Sequence, residues 1–390
     1  MDFDFTPDEE RFRAELRELL TSQLPGDWAR RGLAEPIDSE ERHALADVIS
    51  KQLADRKWLT MAWPEKFGGL DASYLMQYLF NEEMAYLDAP GSGGVGVSSV
   101  GPAIMMYGNE EQQRIYLPRI ANADDRWAAL YSEPGAGSDL AAIQTRAVRD
   151  GDEYVINGLK TWVAGADRAT MGWLAARTDP SAPKHRGLST FAIPMDDPGV
   201  EVRPIENLAG ERQLSEVLLH DVRVPIENRV GPENRGWYHV ASTLDFERSG
   251  VASYARGKRH VEQLVDLVKE DATLSEQRAA VRYELADRWI ELQVGFNVAQ
   301  RIPWLQGQGI SPNHEASVSK VYGSEMTQRI AGTGIRLLGM AGLLQRGTDG
   351  APAGGAFARH YLTSAGSTIA AGTSEIQRNI IAQRGLGLPR

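Results

Sequence analysis

Between about Arg126 and Gly236 the chain changes period, and that change limits its possible architectures more than any other feature. Apolar residues on either side recur every three or four positions. Inside, short runs alternate apolar and polar residues and are parted by turn residues. The two patterns belong to different elements, because a helix returns a side chain to one face about every 3.6 residues and a strand about every 2. The runs Arg126 to Tyr131, Glu153 to Ala164, Gly172 to Arg177, Leu188 to Ile193, Val200 to Pro204 and Val217 to Val224 therefore predict a β-domain. Upstream, Thr6-Pro7-Asp8-Glu9 is a capping box with proline at the first helical position, and Phe12, Leu16, Leu19 and Leu20 supply a buried stripe behind it. Further helices are expected over roughly 39–56, 71–88 and 109–121, with a glycine-rich bend from Ala89 to Gly96. Downstream the pattern predicts helices over 237–270, 274–306, 313–340, 356–369 and 374–384. Three domains follow, helical over 1–125, β over 126–236 and helical over 237–390.

Composition narrows the function. A hydrophobic fraction of 42% over 390 residues supports true cores. The net charge of -11, with no basic block, argues against a nucleic-acid partner. Without cysteine the chain can have no disulfide, thiolate nucleophile or zinc-thiolate site, and no metal site is expected. The N-terminus is acidic, and no run of about eighteen apolar residues occurs, so neither a targeting signal nor membrane insertion is expected and a reducing cytoplasm fits.

Two motifs carry the chemistry. In YSEPGAGSDL (131 to 140), Gly135 and Gly137 let the backbone approach an anion, and Ser138 and Asp139 are candidate caps for a helix whose N-terminus would attract phosphate. In VINGLKTWVAGA (155 to 166), Asn157-Gly158 reads as a type I′ turn joining two strands, with Trp162 on the second as a flat aromatic face. On its own, the first motif is equally an ordinary capped turn, and a core tryptophan of a β-barrel is the competing reading of Trp162. A dinucleotide fingerprint is a poor match, since its third glycine would fall at Leu140 and no βαβ pattern surrounds the turn.

With AGTSEIQRNIIAQRGLGLP (371 to 389), these stretches in this order resemble the acyl-CoA dehydrogenase family of FAD flavoproteins over essentially the whole chain. The resemblance implies a mainly α fold in three domains, with a small β-barrel held between a helical domain and a C-terminal four-helix bundle that drives oligomerisation. It also implies α,β-desaturation of an acyl-CoA thioester: a carboxylate removes the α-proton, and the β-hydrogen leaves as hydride to flavin N5. Flavin contacts carried over are Tyr131, Ser132, Gly137, Ser138, Trp162, Ala164 and Thr373. At Ala164 relatives usually have threonine or serine, so only its main-chain N–H is left to reach N5. The implied electron acceptor is an electron-transferring flavoprotein.

The base is where this chain departs from most relatives. They place a glutamate before the glycine of the C-terminal GTS motif, and here that position is Ala371. Members specific for isovaleryl and long-chain acyl groups carry the glutamate on the first helix of the last domain, before an arginine, and Glu247-Arg248 stands there, with Arg248 on the substrate side. Val240, Leu244, Glu247 and Val251 are spaced by four, three and four, which would set the carboxylate in an apolar stripe of one helix. Desolvation there would raise its pKa and make it a useful base. A buried ion pair, for instance with Arg256, is the competing explanation. The backbone N–H of Ala371 is the expected donor to the thioester carbonyl, a role a side-chain change leaves intact.

Two further departures concern assembly. KEDATLSEQRAAVRYELAD replaces an Arg-x-Thr-Phe-Gly segment that in many relatives reaches a neighbouring subunit's FAD, and LLGMAGLL (337 to 344) replaces a glycine-asparagine turn with the same task. The chain is thus expected to form either a homo-oligomer with altered contacts or a heterotetramer with a sister subunit. The latter is similar to the actinobacterial steroid side-chain enzymes, whose C-terminal motifs this chain resembles. Glycines from Gly91 to Gly96 either line the acyl cavity or simply turn the chain. A non-catalytic subunit and a flavin oxidase or monooxygenase on the same fold are the alternative functions.

Overall fold

The computed structural model describes residues 4–243, 249–270 and 278–389, which fall into two compact units. Unit 1 comprises Met1–Ala46, Ala72–Pro90 and Arg248–Arg390, and unit 2 comprises Asp47–Asp71 and Gly91–Glu247. Among the described residues no helix is long and apolar enough to cross a membrane.

Unit 1 is helical. Helix α1 (Pro7–Gln23) starts at the expected capping box: the Glu9 N–H donates to Thr6 Oγ1, and the Thr6 N–H donates to Glu9 Oε2. Two otherwise orphan donors are thereby satisfied. Phe12, Leu16, Leu19 and Leu20 are buried as their spacing requires. Helix α2 (Glu40–Asp55) begins in this unit, and α3 (Tyr74–Tyr86) contributes Glu83, a buried carboxylate that accepts two hydrogen bonds from Arg17 at 2.8 and 2.7 Å.

Most of the unit comes from the C-terminal part of the chain. The completely buried Tyr254 ring, on the Val251–Glu270 helix, lies so close to Gly295 of the Arg278–Gly307 helix that an added Cβ would come within 2.3 Å of it. Its hydroxyl donates to Ser319 O, 2.8 Å away on the Asn313–Leu338 helix. Shorter helices Ala356–Ser364 and Ser374–Ile380 complete the unit.

Unit 2 holds α4 (Gly101–Tyr107), α5 (Glu110–Ala121), an eight-stranded sheet and α6 (Gly236–Thr243). The strands are β1 (Trp127–Leu130), β2 (Arg146–Asp150), β3 (Glu153–Ala164), β4 (Met171–Arg177), β5 (Leu188–Pro194), β6 (Val200–Ile205), β7 (Leu214–Pro225) and β8 (Arg229–Val230). Their order is β6-β7-β3-β2-β4-β5-β8, with β1 parallel to β4. Strands β4 and β5 are buried almost throughout, because one face packs on Phe191, Ile193 and Leu174 and the other carries Trp173 and Ala192 against Trp127, Ile104 and Leu117.

The order of helices, sheet and helices expected from the sequence is present, with two corrections. The sheet is not a closed barrel. Closure needs the end strands to pair, whereas β6 pairs only with β7, two-residue β8 only with β5, and β2 meets β4 at the single pair Arg146↔Arg177. Nor does Asn157-Gly158 form a hairpin turn. Strand β3 continues through it with a register shift against β7 between Ile156 and Gly158, and the turn falls at Gly151, between β2 and β3. Gly158 is needed for close approach, since an added Cβ would stand 2.3 Å from Thr145 Oγ1. Asn157 spends its side chain on β7, donating to Asp221 Oδ1 at 2.9 Å and accepting from the Asp221 N–H at 3.0 Å.

Candidate active site

The segment after β1 bends at Glu133 and Ala136, whose backbones exchange two hydrogen bonds of 3.0 Å. Gly135, Gly137 and Ser138 are exposed beyond this bend, and Cβ atoms built on the two glycines would meet nothing within 4 Å. The expected helix does not follow. Leu140–Ala142 is a single 3-10 turn without a side-chain cap, and Asp139 is bound by Lys184 Nζ at 2.7 Å. An anion here would meet turn N–H groups and hydroxyls; no helix terminus lies behind them.

Trp162 lies on the outer face of β3. Its ring is 61% exposed, its φ is +59°, and the β3–β7 register shifts between Lys160 and Val163. The extra residue of that bulge puts Lys160, Thr161 and Val163 inward and Trp162 and Ala164 outward. The Thr161 N–H donates to Ser132 O at 2.9 Å, joining the strand that carries the indole to the glycine segment. Tyr131, Ser132, Thr161 and Trp162 are thus brought together in one unit.

Beneath them lies a buried ion pair. Lys160 is 0% exposed, and its ammonium donates to Tyr131 O at 3.0 Å and to Glu133 Oε1 at 2.8 Å. Glu133 also accepts from the Gln144 N–H at 2.7 Å and the Thr145 N–H at 2.9 Å. Burial alone would raise this carboxyl, but Lys160 and the Thr145 and Gln144 donors hold it below the ordinary glutamate value. Burial lowers the Lys160 ammonium to about 8 against the pull of Glu133. At neutral pH both partners are charged.

The C-terminal motif lies in unit 1. Ala371 has φ +54° and Gly372 φ +89°, two left-handed residues in succession. Gln377 Nε2 donates to Ala371 O at 3.2 Å, and Thr373 Oγ1 accepts from the Ile376 N–H at 3.2 Å, which caps the Ser374–Ile380 helix. The buried Ser374 Oγ has no hydrogen-bond partner among the described residues. A cavity of about 660 Å³ borders this motif and is walled by Arg288, Arg329, Arg336 and Arg378. These guanidinium groups are matched with Glu291, Glu291, Glu284 and Glu325 respectively.

Glu247 and Arg248 lie outside the described residues. Their surroundings correct one expectation: 237–270 is not one helix, because Ser249 and Gly250, the latter with φ +70°, are non-helical just before the next helix starts at Val251. Val251 therefore does not share a helix with Val240. Arg256, the suggested ion-pair partner, sits 3.5 Å from Asp88.

The residues fit a ligand with a flat ring and a phosphate. An exposed indole stands on a strand whose neighbouring side chains are buried, and open glycines in the same unit leave room for an anion. Sequence reasoning missed Lys160, Glu133 and Arg177, the last of which donates to Ile143 O at 2.9 Å and Ala141 O at 2.7 Å. Alternation through Leu159, Thr161 and Val163 on a separate strand after a turn at Asn157-Gly158 turns Lys160 outward, whereas on the single strand β3 it continues the inward set of Tyr154 and Ile156. The one available signal was three charged residues inside or beside otherwise apolar runs.

Family models for the acyl-CoA dehydrogenase N-terminal, middle and C-terminal domains match residues 6–124, 128–222 and 234–386. The chain is 35% identical over 409 residues to acyl-CoA dehydrogenase FadE26 of Mycobacterium tuberculosis, covering 100% of this chain and 99% of that protein. It is 34% identical over 388 residues to acyl-CoA dehydrogenase IpdE1 of the same organism, covering 98% of each. Among solved structures, the Tcur3481-Tcur3483 steroid acyl-CoA dehydrogenase superimposes with a TM-score of 0.90 at 34% identity, and the ChsE4-ChsE5 complex of M. tuberculosis with 0.89 at 35%, each covering 100% of both chains. With this fold and all three domain matches in chain order, the protein belongs to the acyl-CoA dehydrogenase family, FAD-dependent oxidoreductases that act on CH–CH bonds.

Proposed function

We propose that the protein binds FAD and desaturates an acyl-CoA thioester between Cα and Cβ, with Glu247 as the base. The observation that carries this reading is the exposed indole of Trp162, joined through the Thr161 N–H to the glycine segment that begins at Ser132. The flavin, when bound, supplies the acceptor for the β-hydrogen. The Glu247 carboxylate takes the α-proton, and Arg248 lies on the substrate side. The Ala371 N–H donates to the thioester carbonyl and stabilises the negative charge that develops there. Tyr131, Ser132, Gly137, Ser138, Ala164 and Thr373 complete the cofactor contacts. The domain limits 1–125, 126–236 and 237–390 and an electron-transferring flavoprotein as acceptor belong to the same proposal.

Replacing Glu247 with Gln should leave FAD bound and abolish bleaching of its absorbance by acyl-CoA under anaerobic conditions, a loss of at least about a thousandfold in rate for a missing base. Bleaching at the wild-type rate would move the base elsewhere. A panel from short branched acyl-CoAs to steroid side-chain thioesters identifies the substrate. The steroid class is favoured, because two similar structures are named as a steroid acyl-CoA dehydrogenase and as a two-protein complex.

The altered segments at 269–287 and 337–344 favour assembly with a non-identical sister subunit. The chain purified alone should then hold less than one flavin per subunit, and co-expression with the sister should restore it. A full flavin complement in the lone chain would favour the homo-oligomer.

A further inference from the structure

We infer that Lys160 and Glu133 are positioning residues for the cofactor: their buried pair sets the spacing between the Ser132 to Ser138 segment and the Trp162 indole. The inference rests on the FAD reading above and deepens it. Neither residue is placed to touch a ligand, since the side chains are 0% and 7% exposed. Each is instead one or two residues from a proposed contact, Glu133 next to Ser132 and Lys160 two before Trp162.

The geometry is that of a clamp. One ammonium binds Tyr131 O and Glu133, before and within the glycine bend, and the same carboxylate receives the Gln144 and Thr145 N–H groups beyond it. Both ends of the segment are thereby tied to a single atom of β3. Arg177 of β4 adds two bonds to Ala141 O and Ile143 O, so the return of the segment is held from a second strand. The bulge lies immediately after Lys160, and the indole has left-handed backbone, so the direction of its ring depends on where Lys160 is pinned.

Stability alone is a weak reason for such a pair. Desolvating two charges offsets much of their attraction, and a well-packed apolar pair of similar volume is often as stable. What hydrogen-bonded charges add is a fixed register, which matters to a ligand that spans the ring shelf and the anion loop together. A ligand that occupies only the shelf is indifferent to it.

The test uses the full-length protein stripped of flavin, the variants Lys160→Met and Glu133→Gln, and their double variant. FAD and riboflavin affinities are read by flavin fluorescence, and thermal midpoints by circular dichroism. Each single variant leaves a lone buried charge or a weakened pair and should melt earlier; the double variant, with no lone charge, should regain much of the lost midpoint. Its FAD affinity should nevertheless stay at least tenfold below wild type while riboflavin affinity changes less than threefold. Recovery of FAD affinity together with the midpoint in the double variant would make the pair merely structural and overturn the inference. Equal loss of FAD and riboflavin would overturn the spacing role. If Lys160→Met does not fold, Glu133→Gln and the double variant still decide the matter. Wild-type apoprotein that takes up no FAD, whether alone or co-expressed with the sister subunit, would instead remove the flavin reading beneath it, a result distinct from any variant effect.

Discussion

Ala371 adopts φ +54°, a conformation in which an L-residue's Cβ crowds the following carbonyl. Ala371→Gly should stabilise the chain by about 0.5–1 kcal/mol, the strain relieved slightly exceeding the entropy added to the unfolded state. Urea unfolding of the two proteins reads this directly, and a less stable glycine variant would mean that the alanine methyl packs favourably there. The sequence displayed the missing glutamate at this position but not the backbone that presents its amide. Trp162 is similar: its place in a strand was legible from the alternating pattern, while its outward direction depends on a bulge that the pattern does not encode. One extra residue in a strand reverses which side chains beyond it are buried. Lys160 was illegible because the apparent turn at Asn157-Gly158 hid its continuity with the inward Tyr154 and Ile156.

At the scale of elements, helix starts were the best-read features, because a cap is decided by three or four neighbouring residues. Thr6 with Glu9 and Asn109 with Gln112 both form reciprocal boxes. Turn signals were less reliable. Asn157-Gly158 has the composition of a type I′ turn, yet β7 pairs with β3 on both sides of it across a register shift at Asn157, and that ladder outweighs a local preference. Gly158→Ala should therefore act as overpacking against Thr145, costing about 1–3 kcal/mol, where a residue in a solvent-exposed turn would be tolerated. A chemical denaturation midpoint unchanged from wild type would restore the turn reading. The break between α6 and the following helix also escaped the pattern, because apolar spacing continues across Gly250 although the backbone does not.

At the scale of the whole molecule, buried imidazoles make stability depend on acid. His239 accepts or donates at 2.9 Å to Thr190 and stacks on Tyr107 in unit 2, while His260 and His360 stack on each other at 3.8 Å in unit 1. Burial depresses His239 and His260 to about 4 and His360 well below its ordinary value. Between about 6.5 and 4 the unfolded chain binds protons that the folded chain does not, so the stability present above pH 6.5 is lost as pH falls through that window. Unfolding free energies from urea titrations at pH 7.5 and pH 5 should differ by about 2 kcal/mol for each of His239 and His260. Equal free energies would mean that these rings are protonated in the folded state. The sequence by itself determined the α, β, α order, most of the helix starts and the family, because periodicity, caps and short motifs are local and survive without their surroundings. The tertiary structure alone decided that the sheet stays open, that β3 runs through its apparent turn, that Trp162 faces outward and that Lys160 is buried against Glu133. Those outcomes depend on strand pairing and on which distant groups meet, and no window of neighbouring residues contains that information.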